Sequence, residues 1–198
     1  MIDLSDNKIK MLLSQMLDEY RYKHSLCVAK EAVRLADKYG ADREKAYFAG
    51  LLHDITKNYS CEEHLKIFNT FDIILSDVER ASDKLWHAIS GSVYIKEYLN
   101  VRDADIINAI RYHTTAKQNM SLLEKVIYVA DFTSSDRNYP DVDVMRKLSD
   151  KSLEEAMTYA LKYTIGELLE KGAAVHPDTL NAYNFLIFYN NSKGEVLV

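Results

Sequence analysis

The sequence predicts an all-α fold. Only 6 glycines and 2 prolines occur among the 198 residues, so few positions would break a helix. Apolar residues recur with helical spacing along most of the chain, and no convincing pair of alternating strands is present. A turn-rich β fold is therefore disfavoured, and a bundle of packed helices is expected.

Apolar stripes define the helices in chain order. One stripe covers residues 9–17 and the next covers 26–36, after which Gly40 is placed to end the helix. Asp42 is suited to cap a third helix, which runs into the pair His53-Asp54. Further helices are predicted over residues 85–99, 103–112, 121–132, 153–169 and 179–189.

Capping residues mark several of these helix ends. Asp103 and Asp178 are predicted helix starts, Pro177 suits a first helical turn, and Gly172 suits a helix stop. The apolar run at 185–189 fits either a helix or a strand.

Nothing in the sequence divides the chain into parts. It has no internal repeat, no low-complexity segment and no linker rich in proline or serine. A chain of 198 residues suits one hydrophobic core. We expect a single domain over residues 1–198, with a motif-bearing core at about 21–137 and C-terminal helices at 141–190.

Composition argues against several classes of protein. The formal net charge of −5 disfavours a broad nucleic-acid surface. No stretch approaches the roughly 18 apolar residues of a membrane span, and the first residues lack the apolar core of a signal peptide. Cys27 and Cys61 are not at zinc-binding spacing and suit reduced thiols. We expect a cytoplasmic protein with no membrane or nucleic-acid partner.

The pair His53-Asp54 follows an apolar helix and is the centre of the predicted site. A carboxylate and an imidazole together suit iron, manganese, zinc or nickel. His24 starts the preceding helix, and the short turn at Gly40 would make these two helices antiparallel. The start of one helix would then lie beside the end of the other, so His24 should lie close to His53.

Three more residues are candidates for the same pocket. Asp131 sits late in an apolar helix, where a buried carboxylate is costly unless it is paired or binds a metal. His87 and His113 could complete a second metal position with Asp54 bridging, which suits phosphoryl chemistry. Gly91, four residues after His87, is expected to let a neighbouring backbone approach closely.

Basic and aromatic residues near these motifs are candidates for substrate contacts. Lys57 lies one turn beyond His53-Asp54 and could stabilise charge on a phosphoryl group, and Arg21 could share a helix face with His24. One of several tyrosines could stack on a base: Tyr20, Tyr22, Tyr47, Tyr59, Tyr112 and Tyr128.

Three other polar residues are expected to be structural. His64 is predicted to lie on the surface, His176 to act in a turn or cap before Pro177, and Cys27 to be a small buried core residue.

The motifs together resemble those of a known family. RYKHSLCVA, AGLLHDITK, WHAISG, AIRYHTT and VIYVADFTSSDR occur in the order found in the HD superfamily, and most resemble its YqeK branch of symmetrical bis(5′-nucleosyl)-tetraphosphatases. The resemblance extends from about Arg21 to about Ile165. It implies an all-helical HD fold, a homodimer, and an iron-dependent hydrolase, with one or two ions, that splits diadenosine tetraphosphate into two ADP.

The resemblance also implies roles for individual residues. His24, His53, Asp54 and Asp131 would be the core metal ligands. His87 and His113 would face a second metal or the substrate phosphates. Thr114 and Arg137 would contact the nucleotide or its phosphates.

One departure from the family pattern concerns the segment before Arg137. Ser134-Ser135 stand where the branch usually has Glu-Pro. The implied metal ligands are unchanged, so the departure bears on substrate choice and on the shape of that pocket edge.

A mechanism follows as a hypothesis. Water activated by the metal would attack phosphorus, with Asp54 or Asp131 orienting the water and Lys57 and Arg137 binding phosphate oxygens. His87 or His113 could protonate the leaving phosphate. The alternatives are a phosphatase or phosphodiesterase acting on mononucleotides or cyclic dinucleotides, a non-catalytic nucleotide sensor, and a helical interaction module.

Overall fold

A computed structural model of the chain describes residues 6–192, with side chains through residue 188. Helices and one short 3-10 turn make up its regular structure, and the described residues contain no strand, so the all-α prediction is confirmed. The helices are α1 Asp6–Met16, α2 Glu19–Tyr39, α3 Arg43–Leu52, α4 Cys61–Thr70, α5 Asp77–Ala81, α6 Trp86–Glu97, α7 Ala104–Arg111, α8 Leu122–Thr133, α9 Val142–Lys151, α10 Leu153–Glu170 and α11 Pro177–Ser192.

The turn between α2 and α3 forms as its residues predict. Gly40 adopts φ +78°, and its N–H and that of Ala41 both donate to the carbonyl of Ala36. The Asp42 side chain then accepts from the N–H of Lys45 and caps α3. This short turn makes the two helices antiparallel neighbours.

Helix α8 lies at the centre of the bundle. It packs against α2, α3, α7, α9 and α10. Its residues from Val126 to Ala130 are all buried, because each side of the helix faces another helix. Helix α3 is similarly enclosed between α2, α7 and α8. The two helices that lead to His53 and Asp131 are therefore held firmly in the core.

Other predicted helix ends also agree with the structure. Asp103 caps α7 by accepting from two backbone N–H groups, and α10 ends just before Gly172, at φ +60°. Pro177 is the first residue of α11, which spans the ambiguous run at 185–189 as helix. His176 Nδ1 accepts from the N–H of Asp178, which confirms its role in a cap.

Helix α4 was not predicted, and the prediction that His64 lies on the surface is wrong. His64, Ile67 and Phe68 form the inward face of α4, whose first turn is polar and hides this pattern in the sequence. His64 Nδ1 lies 2.8 Å from Ser90 Oγ, and the ring packs edge-to-face on Trp86.

The predicted reason for a glycine at position 91 is also wrong. A Cβ on Gly91 would meet only side-chain atoms, at 3.4–3.6 Å. The backbone approach occurs instead at Gly50 on α3, where an added Cβ would lie 2.9 Å from Ala29 Cα on α2. The missing side chain at Gly50 therefore sets the distance between these two helices.

No helix within residues 6–192 combines the length and the apolar character needed to cross a bilayer.

We predict that Gly50→Ala destabilises the protein, because its Cβ would force α2 away from α3. The expected loss is about 1–3 kcal/mol in the free energy of unfolding, as in other overpacked cores, measured by urea denaturation. Gly166→Ala on α10 is the matched control, since nothing lies within 4 Å of its added Cβ. The control should be neutral or slightly stabilising. Equal stability of the two variants would contradict the role given to Gly50.

Candidate metal centre

Four histidines that are far apart in the sequence meet at the crossing of α2, α3, α6 and the turn after α7. His53 is the C-terminal cap of α3 and lies edge-to-face with His24, with ring centroids 5.3 Å apart. His113 is 5.1 Å from His53 and 5.0 Å from His87 by the same measure. All four are buried. The structure therefore brings together the histidines that the sequence singled out.

The carboxylates of Asp54 and Asp131 lie on either side of His53. Nε2 of His53 is 3.7 Å from Asp54 Oδ2 and 3.8 Å from Asp131 Oδ1. Two atoms that each lie about 2.1 Å from one ion can be at most about 4.2 Å apart, so these separations allow a shared metal. Two overlapping groups have ligand atoms mutually within 4.8 Å: His24, His53 and Asp131, and His53, Asp54 and His113.

The orientation of His53 fits a metal ligand. Its Nδ1 lies 2.7 Å from the carbonyl of Gly50, so Nδ1 carries the proton and donates. Nε2 then presents a lone pair. Although this atom is buried, it has no hydrogen-bond partner among the described residues. An unpartnered buried acceptor is costly unless a bound group satisfies it, and a metal ion would do so.

His113 and His24 are oriented by the same principle. His113 Nδ1 lies 2.7 Å from the carbonyl of Ile110, and His24 Nδ1 lies 2.7 Å from Asp136 Oδ2. Each contact fixes the ring and directs Nε2 toward the centre. Second partners of this kind are the usual companions of metal-binding histidines.

Protonation states at the centre also suit a cation. Burial lowers the pKa of His53 to about 4, so the ring is neutral at pH 7, as a ligand must be. Burial would raise the pKa of Asp54, but His53, His113, His87 and Lys57 outweigh it and hold the pKa well below its usual value. Burial also opposes the ionisation of Asp131, and Arg137 and His24 lower its pKa more strongly. Both carboxylates are therefore charged at neutral pH.

Three basic side chains surround these carboxylates. Arg21 Nη1 is 3.4 Å from Asp54 Oδ2, and Lys57 Nζ is 3.6 Å from Asp54 Oδ1. Arg137 pairs with Asp131 through Nη2 and also donates from Nε to the Asp131 carbonyl at 2.7 Å. All three remain partly exposed, so they can reach a phosphate that enters from solvent.

His87 differs from the other three histidines. Its Nδ1 contacts neither a backbone carbonyl, as in His53 and His113, nor a carboxylate, as in His24. Its Nε2 is 3.2 Å from Asp54 Oδ1, 3.1 Å from His113 Nε2 and 3.0 Å from Lys57 Nζ. Thr114 Oγ1 lies 3.3 Å from the same nitrogen. Burial lowers the pKa of His87 to about 4. A neutral His87 is better suited to form a hydrogen bond with the substrate, or to coordinate a second ion, than to act as a general acid.

The structure corrects the prediction for Cys27 and reduces the number of tyrosines that could stack on a base. Cys27 is partly exposed, so the prediction that it is buried is wrong; it borders a surface groove beside His24. Among the tyrosines proposed for base stacking, Tyr128 is buried in the core and Tyr47 donates to Asp6. Tyr20 is 58% exposed and lies parallel to His24.

Asp136 is the residue at this centre that the sequence analysis missed. Its Oδ1 accepts from Ser134 Oγ at 2.8 Å, while its Oδ2 faces His24. Of the two residues that stand in place of Glu-Pro, Ser134 is buried and contacts Asp136, whereas Ser135 is exposed to solvent. The only signal in the sequence was an acidic residue close to Asp131, and the turn that brings it back to His24 could not be inferred from it.

We predict that Asp136→Ala weakens metal binding by about 10–100-fold, the usual effect of losing such a partner of a metal-binding histidine. Competition with a chelating dye would measure the affinity for Mn²⁺. Asp143→Ala removes a carboxylate whose side chain is 81% exposed and serves as the control, with no expected change. Unchanged affinity in Asp136→Ala would show that His24 does not depend on this contact as a ligand.

Comparison with known proteins agrees with the fold. Residues 21–136 match the family model described as HD domain. Two proteins named symmetrical bis(5′-nucleosyl)-tetraphosphatase are similar along most of their length. The Bacillus subtilis protein is 38% identical over 88% of this chain and 94% of its own. The Halalkalibacterium halodurans protein is 36% identical over 93% of this chain and 98% of its own.

A crystal structure from Clostridium acetobutylicum, described as a predicted HD superfamily hydrolase involved in NAD metabolism, superposes with a TM-score of 0.91 at 40% identity. The superposition covers 94% of this chain and 98% of the Clostridium acetobutylicum chain. The chain therefore belongs to the HD domain family, in the same group as the bacterial proteins named symmetrical bis(5′-nucleosyl)-tetraphosphatase.

Proposed function

We propose that this protein is a metal-dependent phosphohydrolase that cleaves diadenosine tetraphosphate, and related dinucleoside polyphosphates, symmetrically to two ADP. The observation that carries the proposal is the buried, unpartnered Nε2 of His53. It lies between two ionised carboxylates, and three basic side chains surround them. The names of the similar proteins supply the substrate class.

His24, His53, Asp54 and Asp131 would hold the metal, with His113 close enough to join them. When bound, the ion supplies Lewis acidity, which polarises a phosphate and makes water a better nucleophile at neutral pH. Imidazole and carboxylate donors accept iron, manganese, zinc or nickel, and the family resemblance favours iron.

The remaining residues bind and orient the substrate. Arg21, Lys57 and Arg137 would bind phosphate oxygens and stabilise the charge that develops there during cleavage. Thr114 and the neutral ring of His87 would donate hydrogen bonds on the opposite side of Asp54. Because the group that leaves in symmetrical cleavage is itself a phosphate, it needs less help from a general acid than an alcohol would.

The proposal includes one domain over the chain, a homodimer and a cytoplasmic location. The family resemblance favours the dimer, and the composition favours the location.

We expect diadenosine tetraphosphate to yield ADP as the only nucleotide product, because cleavage at the central bridge gives two equal halves. Chromatography of a stopped reaction, run beside ATP and a cyclic dinucleotide, would test this. ATP and AMP in equal amounts would indicate asymmetric cleavage. Faster turnover of the mononucleotide or the cyclic dinucleotide would favour the alternative phosphatase or phosphodiesterase.

We also expect Asp54→Ala to lose metal and activity together, since Asp54 offers oxygens to both sides of the centre. Elemental analysis would measure the metal, and ADP release would measure the activity. Asp77→Ala is the control, because the Asp77 side chain is fully exposed and lies outside every motif. Turnover retained by metal-free Asp54→Ala protein would refute the metal-dependent mechanism.

A further inference from the structure

A groove of about 320 Å³ lies on the surface next to the metal centre. Tyr20, Lys23 and Cys27 of α2 line one wall, and Ser135 and Asp136 line the other. His24 also lines it, so the groove and the centre share one wall. Its volume is at the lower end of the range for small-molecule sites.

Tyr20 gives the groove an aromatic surface. The ring is nearly parallel to His24, with an interplanar angle of 6° and centroids 6.5 Å apart, and more than half of the residue is exposed. Large aromatic side chains at a polar rim commonly bind flat ligands, because they offer contact area at a low cost in conformational entropy.

Arg21 connects this ring to the metal centre. Its guanidinium carbon lies 5.5 Å from the Tyr20 ring centroid, and its Nη1 lies 3.4 Å from Asp54 Oδ2. A single side chain thus separates the aromatic surface from the pair His53-Asp54. A phosphate bound by Arg21 would place its own nucleoside beside Tyr20, and the exposed Lys23 ammonium lies in the same groove.

We propose that this groove binds one nucleoside of the substrate, with the base stacked on Tyr20. The inference rests on the proposed function, because a dinucleoside polyphosphate needs a place for each of its two nucleosides around a single cleavage point. The structure assigns one of them to the side of Tyr20 and Ser135, opposite the side of Thr114 and His87.

Binding of ADP and of pyrophosphate to Mn²⁺-loaded protein would test the proposal. Both ligands carry a diphosphate, and only ADP carries a nucleoside. The wild-type protein should bind two ADP, and Tyr20→Ala should weaken the binding of one of them about tenfold, a typical effect of removing an aromatic ring from a base. Pyrophosphate affinity should not change. Tyr20→Phe keeps the ring and should bind ADP like the wild type. Tyr98→Ala, which removes a tyrosine of similar exposure at the far end of α6, is the matched control.

Unchanged affinity for both ADP molecules in Tyr20→Ala, or an equal loss for pyrophosphate, would overturn the nucleoside site. So would a wild-type protein that binds ADP no better than pyrophosphate. These results do not depend on turnover, so they separate the two proposals. Cleavage to two ADP with Tyr20-independent ADP binding would refute only the groove. Tyr20-dependent ADP binding without cleavage of the tetraphosphate would support the groove and refute the proposed activity.

Discussion

The contact between α2 and α3 at Gly50 is the constraint on which the metal centre depends. Without a side chain, Gly50 lets α3 lie against the backbone of Ala29, five residues beyond His24 on α2. The same residue's carbonyl accepts from His53 Nδ1 and directs Nε2 toward the two carboxylates. One position therefore sets both the distance between the helices and the orientation of the central ligand.

A second set of contacts fixes the turn that follows Asp54. Thr56 Oγ1 lies 2.9 Å from the carbonyl of His87 and 2.8 Å from Ser90 Oγ, and His64 contacts the same serine. These buried bonds join the turn to α6, so Lys57 and His87 meet on the Oδ1 side of Asp54. Buried polar contacts of this kind are favourable only when each group has a partner, which makes them specific to one arrangement. His64 thus supports the site from outside it.

Much of this arrangement could be predicted from the sequence, and the reasons are local. The short turn with Gly40 and Asp42 fixes α2 and α3 as neighbours, so the closeness of His24 and His53 follows from capping chemistry alone. Asp131 stood out because a charge on an apolar helix needs a partner. Asp136 and Gly50 could not be assigned in this way. The role of Asp136 depends on the path of the chain after α8, and that of Gly50 on how closely two helices pack.

His53 can bind only one ion, so any second ion at this centre would have to be held by other residues. Its Nδ1 is committed to Gly50, so its one lone pair on Nε2 can bind a single ion, and the two overlapping donor groups cannot both be filled through it. Asp54 is not limited in this way. Its Oδ2 faces His53 and Arg21, while its Oδ1 faces His87, His113 and Lys57. A second ion would therefore be held by Asp54 Oδ1 together with His87 and His113. Because Lys57 occupies that side too, binding a second cation there would require its ammonium to move toward the substrate phosphates, where its charge is also needed.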